Sequence, residues 1–268
     1  MRLGIVGCGA IGRTLVEGLD DFASVTTVVL FDRRAELAKA LTKGHPKASV
    51  AKSLDELVAA SDLVVESASQ EAAREVVPRA LSAGKSVLVM SLGALSDDAL
   101  WAQATKAAKE SKGRLLLPSG ALGGLEAVAS ASHDGLDEVR LTTRKPPAAL
   151  EGVEYLRARK VSLEGLKGPL VVFDGSAREA VRHFPANINV AAALSLAGIG
   201  FDRTRVVIVA DPQATTNRHE VYARGAFGEL RCEVSNVPSR SNPKTSHLAA
   251  LSALAAVKNA ASGLHFGP

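Results

Sequence analysis

A glycine-rich hexapeptide near the N-terminus has the spacing of a phosphate-binding turn. The pattern G-x-G-x-x-G follows the aliphatic run Arg2–Val6 and precedes an amphipathic segment, and its residues are Gly7, Cys8, Gly9, Ala10, Ile11 and Gly12. Such glycines permit a tight turn, a close approach of the backbone to a pyrophosphate, and close packing of a helix on a strand. The N-terminus of that helix faces the phosphate charge. The spacing therefore predicts a dinucleotide-binding turn.

An acidic residue follows the turn at the distance that a ribose contact requires. Asp32 ends the second predicted strand, about twenty residues after the glycines, where a carboxylate can accept hydrogen bonds from ribose hydroxyls. A carboxylate there repels a 2′-phosphate and favours NAD. Arg33 and Arg34 follow, and the guanidinium of either could pair with a 2′-phosphate, although both could equally be solvated residues at a helix start. NAD and NADP both stay open as cofactors.

An enzyme that uses a nicotinamide cofactor needs a group that accepts or donates the proton accompanying hydride transfer. Histidine is commonly this general acid or base near neutral pH. Three of the six histidines occupy positions typical of the surface, namely His45, His133 and His265. His183 and His247 flank predicted helix starts. His219 lies in the polar cluster Asn217–Glu220 within a strand-like region. We therefore take His219 as the candidate catalytic residue.

Polar residues at two predicted helix starts are candidates for ligand contacts. Asn187 and Asn189 open an alanine-rich helix, where an asparagine could cap the helix or contact the nicotinamide carboxamide or the substrate. Lys244 and Thr245 belong to the turn 242–246 and, with free backbone N–H groups, would suit a substrate carboxylate. Simple helix capping explains either segment as well.

The elements that must position these residues fall into two groups. Strand-like and helix-like segments alternate as far as Leu117, which is typical of a parallel, doubly wound sheet. After Pro118 the pattern predicts strands at 138–143, 170–174, 205–210, 217–223 and 228–234, and loop with little helix from Lys145 to Lys167. The predicted fold class is α/β: an N-terminal Rossmann domain with a parallel sheet, and a second α+β domain with a mixed or antiparallel sheet.

The domain boundaries follow from that change of pattern. We expect a dinucleotide-binding domain at 1–118 and a substrate domain at 119–244, with a C-terminal helix within 245–268 packing back on the first domain. Hydrophobic residues make up 47% of the 268 residues but aromatic residues only 4%, so the cores must be built from Ala, Val and Leu.

Charge and cysteine usage exclude several classes of function. The formal charge is +4 and the basic residues are scattered among acidic ones, which argues against nucleic acid binding. No stretch has the length of a membrane span, and Met1-Arg2 leads directly into a strand, so we expect a cytoplasmic protein. The two cysteines, Cys8 and Cys232, form no C-x-x-C pair, and no metal-ligand motif is present.

Five segments in this order resemble the L-aspartate dehydrogenase family, and the resemblance spans nearly the whole chain. Besides the glycine turn they are 118–124, 183–190, 217–220 and 242–246. The resemblance implies a two-domain fold similar to homoserine dehydrogenase and dihydrodipicolinate reductase. It also implies that NAD or NADP oxidises L-aspartate to iminoaspartate, which hydrolyses to oxaloacetate and ammonia, and that the reverse reaction aminates oxaloacetate.

The same resemblance implies roles for individual residues. By matching position, Ala121 and Asn187 would contact the cofactor and His219 would be the acid–base residue. The product can feed NAD biosynthesis, and enzymes of this build commonly pair through the second domain, which suggests a homodimer.

Two other functions remain open. One is a related two-domain reductase that acts on another small acid or imine. The other is a non-catalytic NAD-sensing protein, against which the dense polar clusters of the second half argue.

Overall fold

The computed structural model describes residues 1–20, 22–184, 188–239 and 242–263, and for 242–245 the backbone alone. The chain divides into two compact units. The first contains Met1–Gly120 and the last helix from Ala249 onward, and the second is Ala121–Leu248. Among the residues described, no helix has both the length and the apolar character that crossing a membrane would require.

The first unit is built on a sheet of six parallel strands in the order β3-β2-β1-β4-β5-β6. The strands are β1 (Arg2–Val6), β2 (Thr27–Phe31), β3 (Ala48–Val50), β4 (Leu63–Glu66), β5 (Ser86–Val89) and β6 (Leu115–Leu116). The helices are α1 (Ala10–Leu19), α2 (Ala35–Thr42), α3 (Leu54–Ala60), α4 (Gln70–Ser82) and α5 (Asp98–Glu110). The strand order reverses between β1 and β4, and in such sheets ligands bind at the carboxyl ends beside this reversal. The predicted doubly wound parallel sheet is confirmed.

The second unit is built on a five-stranded mixed sheet in the order β11-β10-β7-β9-β8. Its helices and strands are α6 (Leu125–Ala131), β7 (Leu136–Lys145), α7 (Glu154–Ala158), β8 (Leu170–Ser176), α8 (Ala177–His183), α9 (Asn189–Ala197), β9 (Arg205–Ala210), β10 (Asn217–Gly225) and β11 (Gly228–Asn236). A short pair follows, β12 (Pro238–Ser239) with β13 (Asn242–Ser246). The β7 and β9 strands are parallel, whereas the other neighbours are antiparallel. The mixed form of the predicted second sheet is the one observed.

The strand β7 is longer than the sequence pattern predicted. It continues past Thr143 to Lys145, and Val139, Leu141, Thr143 and Lys145 are all buried on one face. Gly198 directly follows α9, and a Cβ there would contact both Val139 and a residue of α6. The helices α6 and α9 therefore meet at this face of the sheet. The prediction of loop with little helix over 145–167 is therefore wrong at Lys145, which belongs to β7, whereas the short α7 agrees with it.

The last helix, α10 (His247–Ser262), completes the core of the first unit. Its Ala253 and Val257 are fully buried in the same cluster as the strands β1, β2 and β4. A Cβ at Gly18 would approach Leu254 to 2.6 Å, so α1 and α10 pack closely. The residues Asn242–Ser246 form a strand, so the prediction of a helix starting at 245 is wrong by two residues.

Candidate functional site

The glycine turn of the first unit has the geometry of a phosphate-binding loop. Gly7 adopts φ +96°, and a Cβ there would come within 2.7 Å of the Ser67 backbone. A Cβ at Gly12 would lie 2.3 Å from the Gly7 carbonyl oxygen. Any larger residue would therefore disrupt the turn at either position.

The N-terminus of α1 is suited to an anion. Gly9 precedes the helix, no side chain caps it, and its first turn, which contains Ala10 and Ile11, has no acidic residue. A Cβ at Gly9 would meet no atom of the described residues within 4 Å. The backbone N–H groups and the helix dipole favour negative charge at this end. These residues fit the pyrophosphate of a dinucleotide.

The carboxylate of Asp32 connects two turns of the same pocket. Its Oδ2 accepts a hydrogen bond from the Cys8 N–H at 2.8 Å, and its Oδ1 accepts one from the Arg34 N–H at 2.9 Å. Each carboxylate oxygen has a further lone pair for a ribose hydroxyl. Asp32 is therefore fixed in place before any ligand contacts it. Burial and the nearby Asp32 charge raise the pKa of the Cys8 thiol to about 12, so the thiol stays protonated.

Two arginines follow Asp32 and differ in their partners. Arg33 forms an ion pair with Glu71 at 3.2 Å, whereas the Nε of Arg34 lies 3.9 Å from the Asp32 carboxylate. Both arginine side chains are largely exposed. A cavity of about 260 Å³ lies beside them, and its lining includes Gly7, Gly9, Asp32, Arg33, Arg34 and Ser69.

A buried acid organises the adjoining edge of the sheet. Glu66, the last residue of β4, is fully buried and accepts hydrogen bonds from the N–H groups of Ala68, Ser69 and Ser91. The Ser91 hydroxyl donates a fourth. Burial raises the pKa of Glu66, and these donors oppose that rise. Sequence reasoning missed this residue, although a charged side chain ending an aliphatic strand is a visible signal.

In the second unit, β10 pairs with β7 so that His219 lies opposite Thr143. The His219 Nδ1 and the Thr143 Oγ1 are 3.0 Å apart, and both side chains are about 4% exposed. Among the described histidines, His219 alone is buried. Burial, together with the charge of Lys145, lowers the pKa of His219 to about 3. The imidazole is therefore neutral throughout the physiological pH range.

The same face of the sheet contains a residue that sequence reasoning missed. Lys145 is 4% exposed, and burial lowers the pKa of its ammonium group to about 8. The alternation of Val139, Leu141 and Thr143 extended by one step would have placed Lys145 on the buried face. The polar residues and prolines that follow Lys145 predict a loop there instead.

The backbone at Ala121 is held by a buried amide. The Asn236 Nδ2 donates a hydrogen bond to the Ala121 carbonyl oxygen at 3.1 Å, and the Ser246 hydroxyl donates to the Asn236 Oδ1 at 2.8 Å. A Cβ at Gly123 would lie 2.8 Å from the Cys232 Sγ. The segment from Ala121 to Gly124 therefore packs against β11.

For three of the site residues predicted from the sequence, the structure describes no side chain. Asn187 lies outside the described residues, and the side chains of Lys244 and Thr245 do too. The backbone of Lys244 and Thr245 belongs to β13, which pairs with β12. No cluster of three potential metal ligands occurs within the described ranges.

Comparison with known proteins relates both units to dehydrogenases. Residues 7–118 match the family model described as "Homoserine dehydrogenase, NAD binding domain". Residues 126–260 match the one described as "Aspartate dehydrogenase, C-terminal". The glycine turn thus lies in a sequence that matches an NAD-binding domain.

Full-length relatives give the same assignment. The L-aspartate dehydrogenase of Methanocella arvoryzae is 45% identical over 99% of both chains. That of Methanosarcina acetivorans is 44% identical over 100% of this chain and 99% of its own. The crystal structure of aspartate dehydrogenase from Thermotoga maritima is 31% identical and superposes with a TM-score of 0.80, covering 100% of this chain and 99% of its own. The chain therefore belongs to the L-aspartate dehydrogenase family of NAD(P)-dependent oxidoreductases.

Proposed function

We propose that the protein oxidises L-aspartate to iminoaspartate, and that in reverse it aminates oxaloacetate reductively. The observation that carries this proposal is the buried His219, whose Nδ1 lies 3.0 Å from the Thr143 Oγ1, in a chain that belongs to this family. Bound NAD or NADP supplies the hydride acceptor for the hydrogen on the substrate α-carbon. The chain must then bind the substrate, orient it and move the proton.

His219 is the acid–base residue in this proposal. When the Nδ1–H donates to the Thr143 hydroxyl, the Nε2 atom is left as a proton acceptor. It takes a proton from the substrate ammonium group or from the water that attacks the imine. Thr143 fixes the orientation of the ring, because its own side chain is buried in the sheet.

The first unit binds the dinucleotide in this proposal. Pyrophosphate is held at the turn and helix start formed by Gly7, Gly9, Ala10, Ile11 and Gly12. Asp32 accepts hydrogen bonds from the adenosine ribose, and Arg33 lines the same cavity. Both the unit boundaries near residue 120 and the lining of the cavity support this division.

The second unit binds the substrate, with Lys244 and Thr245 as candidates for its carboxylates. Ala121 and Asn187 are candidates for contacts with the cofactor. The proposal further includes a homodimer, a cytoplasmic location, and a product that enters NAD biosynthesis. Light scattering after size-exclusion chromatography tests the dimer.

A spectrophotometric assay tests the activity. NADH oxidation is followed with oxaloacetate and ammonia, repeated with NADPH, and the forward reaction compares aspartate with glutamate, alanine, malate and homoserine. We expect turnover with the aspartate pair alone. Preference for another acid would assign a related reductase, and nucleotide binding without turnover would assign a sensor.

Variants of two histidines test the role of His219. His219→Gln should abolish turnover and keep NADH affinity, whereas the exposed His133→Gln should match the wild type. Full turnover of His219→Ala with an unchanged pH profile would refute the assignment.

A further inference from the structure

The buried Lys145 lies beside the candidate catalytic histidine. It follows Thr143 by two residues on β7, so both side chains are on the same face, and His219 lies opposite Thr143 on β10. Lys145 is therefore the diagonal neighbour of His219 on this face, and its charge contributes to the lowered pKa of His219. On the other side, β9 places the apolar Ala210 opposite Lys145.

A lysine at this position is costly for folding. Burial of an ammonium group removes its hydration, which is why Lys and Arg are rarely buried to this extent. An aliphatic residue would continue the alternation of Val139 and Leu141 without that cost. Buried titratable groups with shifted pKa values cluster at functional sites, because a residue that reduces stability is retained where the function needs it.

The local charge is complementary to an acid. Two further charged groups at this end of the sheet, Arg144 and Asp211, form an ion pair at 3.7 Å. On this face Lys145 adds a cation to the hydroxyl of Thr143 and the imidazole of His219. A carboxylate in contact with a buried ammonium group forms a strong, charge-assisted hydrogen bond.

We propose that Lys145 binds a carboxylate of the dicarboxylic substrate and thereby holds that substrate beside His219. The inference rests on the proposed function and adds to it a substrate-binding residue. Lys145, which would bind the carboxylate, and Thr143, which orients the His219 ring, both lie on β7. One strand therefore positions the substrate carboxylate and the proton acceptor relative to each other.

Two substitutions at Lys145 test the proposal. Lys145→Met removes the charge and keeps the length, and should raise the KM for oxaloacetate and the Kd for succinate by about tenfold or more. The Kd for NADH should stay unchanged, and Lys145→Arg should restore part of the affinity. Arg144→Met is the matched control, because it removes one positive charge from the adjacent position on the opposite face.

A pH series provides a readout that requires no variant. Lys145 loses its proton above a pKa of about 8, whereas His219 stays neutral from pH 6 to 9. The Kd of the wild-type enzyme–NADH complex for succinate, measured by calorimetry, should therefore rise as pH increases through 8. In Lys145→Met the Kd should be flat. If that variant does not fold, the wild-type series and Lys145→Arg still decide the matter.

The outcomes separate this inference from the proposed function. An enzyme without activity on the aspartate pair refutes the proposed function. An active enzyme whose Lys145→Met variant keeps its KM, or loses NADH affinity to the same degree, refutes the role of Lys145. A flat wild-type pH series refutes it as well.

Discussion

The carboxylate of Glu66 accepts hydrogen bonds from both the N–H and the hydroxyl of Ser91, each at 3.0 Å. It thereby links the end of β4 to the residues that follow β5. The same carboxylate accepts from Ala68 and Ser69 in the turn beside the glycines. One fully buried side chain therefore holds the backbone of Ala68 and Ser69, which line the cavity beside the glycines.

Glu66→Gln should destabilise the first unit and weaken nucleotide binding. Glutamine offers one acceptor oxygen and turns an NH₂ group toward N–H donors, so buried donors lose their partner at about 1–3 kcal/mol. Denaturant unfolding and NADH fluorescence titration measure the two effects. The exposed Glu110→Gln is the control, and equal behaviour of the two variants would show that Glu66 has no organising role.

Arg34→Ala should discriminate against NADPH. Arg33 is held by Glu71, whereas Arg34 is near Asp32 and can turn toward a 2′-phosphate. We expect the KM for NADPH to rise about tenfold and that for NADH to change less than about twofold, because only NADPH has the extra phosphate. Steady-state kinetics with both cofactors, compared with Arg33→Ala, measure this. Equal losses for the two cofactors would contradict it.

The stability of the protein should depend on His219 at acid pH. Unfolded histidine binds a proton below about pH 6.5, whereas folded His219 does so only near 3. The unfolded state thus binds more protons in this window, and the free energy of unfolding falls as pH decreases from about 6.5 toward 3. Between these two pKa values, the contribution of His219 to the free energy of unfolding changes by about 1.4 kcal/mol per pH unit.

His219→Gln should reduce that slope by the contribution of one proton. Urea unfolding of both proteins at several pH values gives the comparison, and parallel curves would show that His219 titrates normally in the folded state.

Asn236→Ala should loosen the segment that contains Ala121. The substitution leaves the Ala121 carbonyl and the Ser246 hydroxyl without their partner, at a cost of about 1–3 kcal/mol. Thermal unfolding measures the loss. Ser235→Ala, one residue earlier on the exposed face of β11, should be close to neutral, and a similar Tm for both variants would argue against the network.

The parallel sheet and the glycine turn could be predicted because their signals are local. Gly7 and Gly12 are required by contacts within a few residues or with the adjacent strand, and aliphatic runs such as Leu63–Glu66 are typical of strands buried on both faces. The position of His219 on a strand was also predictable from its alternating neighbours. Its hydrogen bond to Thr143 was not, because it joins residues 76 apart in the chain.

Long-range pairing accounts for the errors. The run Asn242–Ser246 has the composition of a helix start, yet pairing with β12 makes it a strand. Lys145 precedes a proline-rich segment that suggests a loop, yet β9 and Asp211 extend the ladder to its carbonyl oxygen. Pairing with a partner strand makes these residues part of a strand, and the local sequence pattern does not show that pairing.

The return of α10 to the first unit has a consequence for synthesis on the ribosome. The fully buried Ala253 and Val257 are translated after the entire second unit. The nascent nucleotide-binding unit therefore exposes part of its core while residues 121–248 are being made, and its folding finishes only at the end of translation. Truncated chains that end before α10 should accordingly be substrates for chaperones and proteases.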